Sequence, residues 1–236
     1  MNRTILAIDA SQRRTAIALA RGPVVFERLV EHAEARDREP FWDELQDLFR
    51  EAVVEPWQVE AVAVALGPGG FTGLRVSIAF AKAFAHARDV PAIGLGSAAV
   101  FAASDASRGG KGPWLVALAS KSGTAWVARV TRSDDGGFAE EPGAVVDAAG
   151  FLPRVSAVAA AGGALLTDEH LAPELAEVAR NAEARVRPIE VDPCALAALA
   201  HLAYSRRNFT DALALSPIYP REPEAVTKWR ERKSQK

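Results

Sequence analysis

A short, entirely apolar segment and the glycine-rich turn after it constrain the fold of this chain more than any other feature. Residues 61–66 read Ala-Val-Ala-Val-Ala-Leu, and Gly67-Pro68-Gly69-Gly70 follow directly. Such a run is typical of a buried strand, because parallel strands are covered on both faces. The sequence therefore predicts a buried strand over 61–66, parallel to the first strand of the chain, with a tight turn after it.

The segment behind this turn, from Thr72 to Ala87, predicts a helix with two apolar flanks. At 100° per residue one flank comprises Leu74, Ile78, Ala81 and Ala85, and the other comprises Val76, Phe80, Ala83 and Ala87. The polar Arg75, Lys82 and His86 form only a narrow stripe, and Thr72 is the predicted N-cap. A helix that covers a sheet normally turns one side to water. Two apolar flanks therefore indicate a second neighbour, either another helix of this chain or another subunit.

The remaining pattern predicts two halves that each begin with a β-hairpin. In the first half, the predicted strands are 4–9, 15–21, 24–30 and one around Ile93, and the predicted helices are 41–53 and 97–103. In the second half, the predicted strands are 114–119, 125–130 and 156–161, and the predicted helices are 168–180 and 193–204. This arrangement predicts an α/β fold of two ribonuclease-H-like (actin/hexokinase-type) subdomains, each a mixed sheet with flanking helices. The predicted units are residues 1–103, 104–215 and a C-terminal segment with a charged tail, 216–236.

Charge and composition exclude several classes of function. The chain has 28 Lys and Arg against 30 Asp and Glu, so its net charge is -2 and it lacks a basic field for binding nucleic acid unaided. A single cysteine, Cys194, rules out an intrachain disulfide, which favours the cytoplasm. No apolar run is long enough for a transmembrane helix. The four histidines are far apart in sequence, and we expect no metal and no cofactor.

One segment is specific enough to indicate a family. Residues 65–76, Ala-Leu-Gly-Pro-Gly-Gly-Phe-Thr-Gly-Leu-Arg-Val, together with 5–11, Ile-Leu-Ala-Ile-Asp-Ala-Ser, resemble the TsaB family. These proteins are the dimerisation subunits of the bacterial tRNA threonylcarbamoyladenosine synthase complex. Residues 79–85, 91–97 and 217–221 match further family segments in the same order. The resemblance is strong over 4–100, patchy over 101–215, and returns at the C-terminal segment.

The resemblance implies a noncatalytic subunit that binds the larger catalytic paralogue TsaD as a heterodimer. It also implies docking of the small ATPase TsaE, a homodimer when the chain is alone, and contact with tRNA only through the complex. Together with the doubly apolar helix, it places the partner-binding surface on helices 41–53 and 71–87. The predicted contact residues are Leu45, Phe49, Phe71, Leu74, Arg75 and Ile78.

A vestigial nucleotide site is predicted where related folds hold a metal-bound phosphate. Its candidate residues are Asp9, Ser11, Gly67, Gly69, Gly162 and Gly163. The glycine turn suits either a phosphate at a helix N-terminus or close packing of backbones, and the sequence leaves both open. No second carboxylate is found at a comparable strand end, because Ala119 and Thr124 stand where related chains often carry acidic residues. This argues against catalysis.

The alternative hypotheses are a stand-alone enzyme of the same fold and a chain that pairs only with itself. A small-molecule kinase needs a second phosphate loop and a catalytic carboxylate, and a glycopeptidase needs ligands at metal spacing; the sequence shows neither set. Asp168-Glu169-His170 is interpreted as a solvated helix start, since consecutive helical residues point about 100° apart. Cys194 is interpreted as a core-packing residue.

Overall fold

The computed structural model of the chain describes residues 3–31 and 40–220 and contains two sheets of matching topology. The first sheet comprises β1 (Thr4–Asp9), β2 (Arg14–Arg21), β3 (Val24–Glu31), β4 (Ala61–Ala65) and β5 (Ala92–Leu95). The second comprises β6 (Trp114–Ala119), β7 (Ala125–Arg132), β8 (Phe138–Glu140), β9 (Ala144–Val146), β10 (Ala164–Thr167) and β11 (Arg185–Pro188). The helices are α1 (Pro40–Ala52), α2 (Phe71–Arg88), α3 (Ser97–Ser107), α4 (Ala148–Ala160), α5 (Pro173–Asn181) and α6 (Pro193–Ser205).

The order of strands confirms the duplicated fold. The first sheet runs β3-β2-β1-β4-β5 and the second β8-β7-β6-β10-β11, with β9 also paired to β7. In each sheet an antiparallel meander is followed by two parallel strands. The predicted parallel pairing of the apolar strand with the first strand is correct, since Ile5 lies opposite Ala61. The fold is therefore α/β with two mixed sheets.

Three apolar clusters hold the layers together. One lies between the two sheets and includes residues of α3 and α6. A second joins the opposite face of the first sheet to α1 and α2, and a third joins the opposite face of the second sheet to α4 and α5. β1 serves the first two clusters at once, because Ile5 and Ala7 face one side and Leu6 and Ile8 the other. Both sheets are thus covered on both faces.

The helices between the sheets are exchanged between the halves of the chain. α3 follows β5 of the first sheet but packs on β6, β7 and β8, and α6 packs on β1, β2, β3 and β5. α3 also runs across position 103, where a subdomain boundary is predicted, and continues to Ser107. The division into 1–103, 104–215 and 216–236 stays a prediction.

Several predicted element boundaries are wrong, and each has a local cause. The N-cap of α2 is Gly70, not Thr72, because the chain enters the helix directly from the glycine turn. Residues 156–160 belong to α4, not to a strand, since Phe151, Val155 and Val158 recur at helical spacing and are buried. The helix predicted from Asp168 begins only at Pro173. The predicted charged tail lies, after residue 220, outside the described residues.

None of the helices in the described ranges 3–31 and 40–220 has both the length and the apolar character required to cross a membrane. Localisation in the cytoplasm stays a prediction.

Replacing Leu196 by alanine tests the exchange of helices. Leu196 lies on α6, is fully buried, and belongs to the cluster between the sheets. We expect Leu196→Ala to lower the free energy of unfolding by about 2–5 kcal/mol, because the substitution removes three buried carbon atoms and leaves a cavity. Leu152→Ala on α4 is the matched control, since that side chain is 48% exposed, and urea unfolding measures both. Equal effects of the two changes would contradict this account of α6.

Candidate functional site

A cleft of about 1530 Å³ opens between the two sheets at the carboxyl ends of their central strands. This edge is where open α/β sheets commonly bind ligands. The walls come from the turn after β1, the glycine turn 67–70, the start of α2, and the segments that follow β6 and β10. Tyr219 and Pro220, at the end of the described residues, also line it.

Asp9 and Ser11, at the end of β1 and in the turn after it, are almost fully buried. Ser11 lines the cleft, and its backbone N–H donates to Asp9 Oδ1 at 2.8 Å. Asp9 Oδ2 and Ser11 Oγ have no hydrogen-bond partner within the described part of the chain. Burial raises the pKa of Asp9, while hydrogen bonds from Ser11 act in the opposite direction. The buried carboxyl therefore favours its neutral form more than an exposed aspartate does.

The glycine turn packs directly against the turn between β1 and β2. Gly70 N–H donates to the Ser11 carbonyl at 2.7 Å. A Cβ at Gly69 would overlap the Ser11 backbone, and one at Gly73 would overlap the Ala10 carbonyl oxygen. Of the two uses that the sequence leaves open, the geometry therefore supports close packing of backbones.

Gly67 is held from the other side of the turn. Its N–H donates to Ser97 Oγ at 3.1 Å, and its carbonyl accepts from Ser97 N–H at 3.0 Å. Ser97 is the first residue of α3, and its N-cap is Gly96. The fully buried Ser97 side chain thus supports the glycine turn.

Gly162 and Gly163 do not belong to this cleft. They connect α4 to the amino end of β10, whereas the cleft is lined by Thr167 to His170 at the carboxyl end of that strand. A Cβ at Gly163 would overlap the Pro113 carbonyl oxygen, so this glycine serves close packing below the sheet. Their predicted place in a nucleotide site with Asp9 and Ser11 is wrong, because the strand predicted at 156–161 is the end of α4 and its predicted carboxyl end is not a strand end.

A carboxylate at the end of a strand of the second sheet does line the cleft, although the sequence analysis predicts none there. Asp168 directly follows β10, and its Oδ2 accepts from Ala119 N–H at 2.9 Å while Oδ1 accepts from His170 N–H at 3.0 Å. It therefore stands beside the end of β6, where a carboxylate was judged absent. The available signal was the apolar run 164–166 followed by Thr-Asp, which repeats the strand-end pattern of Ile8-Asp9.

Charges of both signs line the cleft. Three basic side chains face four acidic ones, and these are Arg13, Arg14, Lys121, Glu31, Asp168, Glu169 and Glu190. Arg13 and Glu169 approach to 4.0 Å across the cleft, both largely exposed. This balance provides little net attraction for a polyphosphate.

Outside the cleft, Cys194 is exposed, so its prediction as a core-packing residue is wrong. Its Sγ donates to Glu27 Oε2 at 3.0 Å, and this carboxylate raises the pKa of the thiol to about 11. Glu27, Asp192 and Cys194 bring three potential ligand atoms within 4.8 Å of one another. Asp192 already caps α6 through Cys194 N–H at 2.9 Å, and all three lie at the surface or close to it.

The second feature of functional interest is the side of α2 that faces away from the first sheet. The first predicted flank of α2, with Leu74 and Ile78, faces the sheet and is buried in the core of the chain. Leu45 of α1 is buried in the same cluster. These three residues are therefore not available as surface contacts, which corrects their assignment as partner-binding residues. Phe49 is half-buried, whereas Phe71 is 57% exposed.

The second predicted flank of α2 is open. We call Val76, Ala79, Phe80, Ala83 and Ala87 the outer face of α2. Val76 is 39% exposed, the three alanines are exposed, and Phe80 is half-buried. Phe80 makes edge-on contacts with Phe41 and Trp42 of α1, at centroid distances of 5.8 and 5.5 Å. Trp42 itself is 44% exposed, so the outer face continues onto α1.

Phe71, Arg75 and Tyr219 form a stack at the amino end of α2. The Arg75 guanidinium lies 3.6 Å from the centroid of the Phe71 ring, and Arg75 Nε donates to Tyr219 Oη at 2.8 Å. This contact joins α2 to the C-terminal segment beside the mouth of the cleft.

Comparison with known proteins gives matches in sequence over part of the chain. A family model described as "TsaD: tRNA N6-adenosine threonylcarbamoyltransferase" matches residues 31–135. The tRNA threonylcarbamoyladenosine biosynthesis protein TsaB of Bacillus subtilis (strain 168) is 30% identical over 101 residues, 43% of this chain and 44% of that protein. A tRNA N6-adenosine threonylcarbamoyltransferase of Nitratidesulfovibrio vulgaris (strain DP4) is 50% identical over 48 residues, 20% of this chain and 13% of that protein. Each match spans less than half the length of the curated relative.

The fold matches over nearly the whole chain. The structure of YeaZ from Pseudomonas aeruginosa superposes with a TM-score of 0.71 at 22% identity, covering 92% of this chain and 99% of that one. The predicted resemblance to TsaB is thereby confirmed, in sequence over part of the chain and in fold over most of it.

Replacing Gly73 by alanine tests the packing of the glycine turn. In a helix, Gly→Ala normally stabilises by up to about 1 kcal/mol. We expect Gly73→Ala instead to lower the free energy of unfolding by more than about 1 kcal/mol, because the new Cβ meets the Ala10 carbonyl, which belongs to a buried turn. Gly70→Ala is the control. A Cβ there lies 3.6 Å from the Ser11 oxygen, so its cost is limited to the N-cap preference for glycine, below about 1 kcal/mol. A stabilising Gly73→Ala would show that the turn is loosely packed.

The raised pKa of Asp9 predicts a pH-dependent difference between the wild type and Asp9→Asn. In the unfolded chain the pKa of aspartate is about 3.9, so at higher pH the folded protein retains a proton that the unfolded chain has lost. The contribution of Asp9 to stability is complete below about pH 4 and is lost as the pH rises through the folded-state pKa. Denaturant unfolding between about pH 3 and pH 7 should therefore show a difference that moves in favour of Asp9→Asn with rising pH. A constant difference would mean that the carboxyl is solvated.

Proposed function

We propose that this chain, which resembles the TsaB proteins in sequence and fold, is a noncatalytic subunit required for tRNA threonylcarbamoyladenosine modification. It acts by binding the catalytic paralogue that transfers the threonylcarbamoyl group, a protein of the TsaD kind. The observation that carries this proposal is the outer face of α2. This face is apolar and open, while the opposite flank of the same helix is part of the core.

An open apolar face on a regular helix favours a protein partner. Val76 and Trp42 expose large side chains beside exposed alanines, and Phe80 bridges them through ring contacts to α1. Covering such a surface removes apolar area from water, which is the main favourable term in association. Phe71 and Arg75 stand at the end of this surface, and of the six predicted contact residues they are the two that are exposed. Aromatic and arginine side chains are common in the energetically dominant part of interfaces.

The geometry of the cleft supports a noncatalytic role. Asp9 is fully buried and does not line the cleft, and both oxygens of Asp168 accept hydrogen bonds from backbone amides. The glycine turn uses Gly70 N–H and Gly67 N–H within the chain. Each of these hydrogen bonds joins neighbouring segments within one half of the chain, so the bonded Asp168 oxygens and the bonded N–H groups of Gly67 and Gly70 are used within the fold.

The remaining parts of the proposal follow from the same surface. The outer face also suits a homodimer when the paralogue is absent, since one apolar patch can pair with its own copy. The complex then offers the docking surface for a small ATPase of the TsaE kind. With a net charge of -2 and a cleft of mixed charge, the chain contacts tRNA through the complex.

A charge placed on the outer face tests the proposal. We expect Val76→Asp to weaken binding to the purified paralogue from the same organism by at least about 100-fold, because an unpaired carboxylate would be buried in the interface. Its circular dichroism and midpoint of thermal unfolding should stay close to the wild type, since Val76 is 39% exposed. Isothermal titration calorimetry and size-exclusion elution measure binding, and reconstituted tRNA modification measures function.

Leu74→Asp is the matched variant on the buried flank. Leu74 is 1% exposed, so this change should unfold the chain and remove binding and stability together. Wild-type elution apart from the paralogue, or ATP turnover by the chain alone at the rate of an enzyme, would refute the subunit role and favour a kinase of the same fold.

A further inference from the structure

Helix α3 connects the glycine turn of the first half to the second half of the chain. Ser97, its first residue, is fully buried and forms two hydrogen bonds with Gly67. A Cβ at Gly67 would lie 2.8 Å from Leu74 Cδ1, on the buried flank of α2. Ser97, Gly67 and Leu74 thus form a continuous contact from α3 to the start of α2.

The carboxyl end of α3 is bonded to the second half of the chain. Asp105 is 3% exposed, its Oδ2 accepts from Trp114 Nε1 at 2.8 Å, and its Oδ1 accepts from Arg187 Nη1 at 2.9 Å. Ser104 Oγ accepts from Asp192 N–H at 2.9 Å. These bonds reach β6, β11 and the residue before α6, so this end of the helix is fixed to the second sheet and its surroundings.

Glu140 of β8 makes the corresponding contact at the amino end of α3. Its Oε2 accepts from the N–H of Ala99, the third residue of the helix, at 3.3 Å. The first N–H groups of a helix have no partner within it, so this carboxylate is a cap supplied by a strand of the other half. A Cβ at Gly96 would overlap the same carboxylate, which therefore lies directly against the N-cap residue. Its negative charge is favourable beside the positive end of the helix dipole.

The first turn of α3 therefore stands between the two halves of the chain. Ser97 N–H donates to the Gly67 carbonyl of the first half, and two residues later Ala99 N–H donates to Glu140 of the second half. Any shift of this turn changes the support of Gly67, because the Ser97 side chain and backbone are both bonded to that glycine.

We infer that Glu140 is a positioning residue: through the first turn of α3 it holds the glycine turn, and with it the start of α2, in the arrangement that the catalytic paralogue binds. This inference rests on the proposed function. The outer face of α2 lies in the first half of the chain, and Glu140 gives the second half a role in shaping it.

Two substitutions of Glu140 test the inference. Glu140→Ala removes the acceptor for Ala99 N–H, whereas Glu140→Gln keeps one in its amide oxygen. With the full-length chain at a temperature where every variant is folded, we expect Kd for the purified paralogue to rise by about 3- to 10-fold for Glu140→Ala. Glu140→Gln should stay within about 2-fold of the wild type. Hydrogen exchange of the segment 66–74 in the free chain, measured by mass spectrometry, should be faster in Glu140→Ala alone.

Arg187→Gln is the matched control at the other end of α3. It leaves the buried Asp105 carboxylate without its cation and should therefore lower the midpoint of thermal unfolding. Asp105 lies about 12 Å along the helix from Ser97, so Kd and the exchange of 66–74 should not change.

Gly96→Ala perturbs the Glu140 contact from the opposite side. The φ of Gly96 is -68°, which suits alanine, but the new Cβ must displace the carboxylate. Gly96→Ala should therefore raise Kd in the wild type and have a smaller effect in Glu140→Ala, where no carboxylate is present. Equal effects in both backgrounds would contradict the inference.

Val76→Asp, on the outer face itself, separates the inference from the proposed function. If Val76→Asp abolishes binding and Glu140→Ala binds like the wild type, the role of Glu140 is refuted and the proposed function stands. If Arg187→Gln raises Kd as much as Glu140→Ala does, general loss of stability explains both effects and the inference is overturned. If the wild type does not bind the paralogue, the proposed function fails and the inference fails with it.

Discussion

The exchange of α3 and α6 between the two halves is the interaction on which the rest of the structure depends. α3 follows the first sheet in the chain but packs on the second sheet. α6 follows the second sheet but packs on the first. The cluster between the sheets therefore contains side chains from both halves. The inner face of each sheet is covered by a helix that belongs to the other half of the chain. The same packed helices join the two sheets whose carboxyl ends line the cleft. This arrangement also leaves α1 and α2 on the outside, where only one flank of α2 is needed for the core.

The contact of the glycine turn with the turn after β1 is the local counterpart of this constraint. It places the start of α2 directly on Ala10 and Ser11, and Ser97 of α3 supports the turn from behind. A segment that resembles a phosphate-binding loop in composition thus packs the start of α2 against the turn after β1. This contact orients α2, so that one of its two apolar flanks is buried in the core and the other is exposed to solvent.

The sequence predicts much of this fold and less of the site. The sequence predicts the hairpins, the parallel apolar strand and the second apolar flank of α2 correctly, because the pattern of each is local in the chain. The strand predicted at 156–161 was wrong because an alanine-rich apolar run fits a strand and a helix equally well, and the buried Phe151 decides for the helix only with the sheet in place. Leu74 and Ile78 are wrongly predicted as partner contacts, since periodicity identifies two flanks of α2 without saying which of them faces the sheet. Asp168 was missed because its neighbour Ala119 is 49 residues away in the chain.

The pairing of Thr210 with Ala92 determines how the first sheet ends. A strand edge with unpaired backbone groups is a template on which further chains can add and aggregate. At β5 this edge is occupied by the bridge between Ala92 and Thr210, so the sheet is closed there by its own chain. The opposite edge is β3, which carries Glu27, Arg28 and Glu31. One edge of the first sheet is thus covered by a segment of the chain and the other carries charged side chains. Both features limit edge-to-edge aggregation in a chain that exposes an apolar helix face.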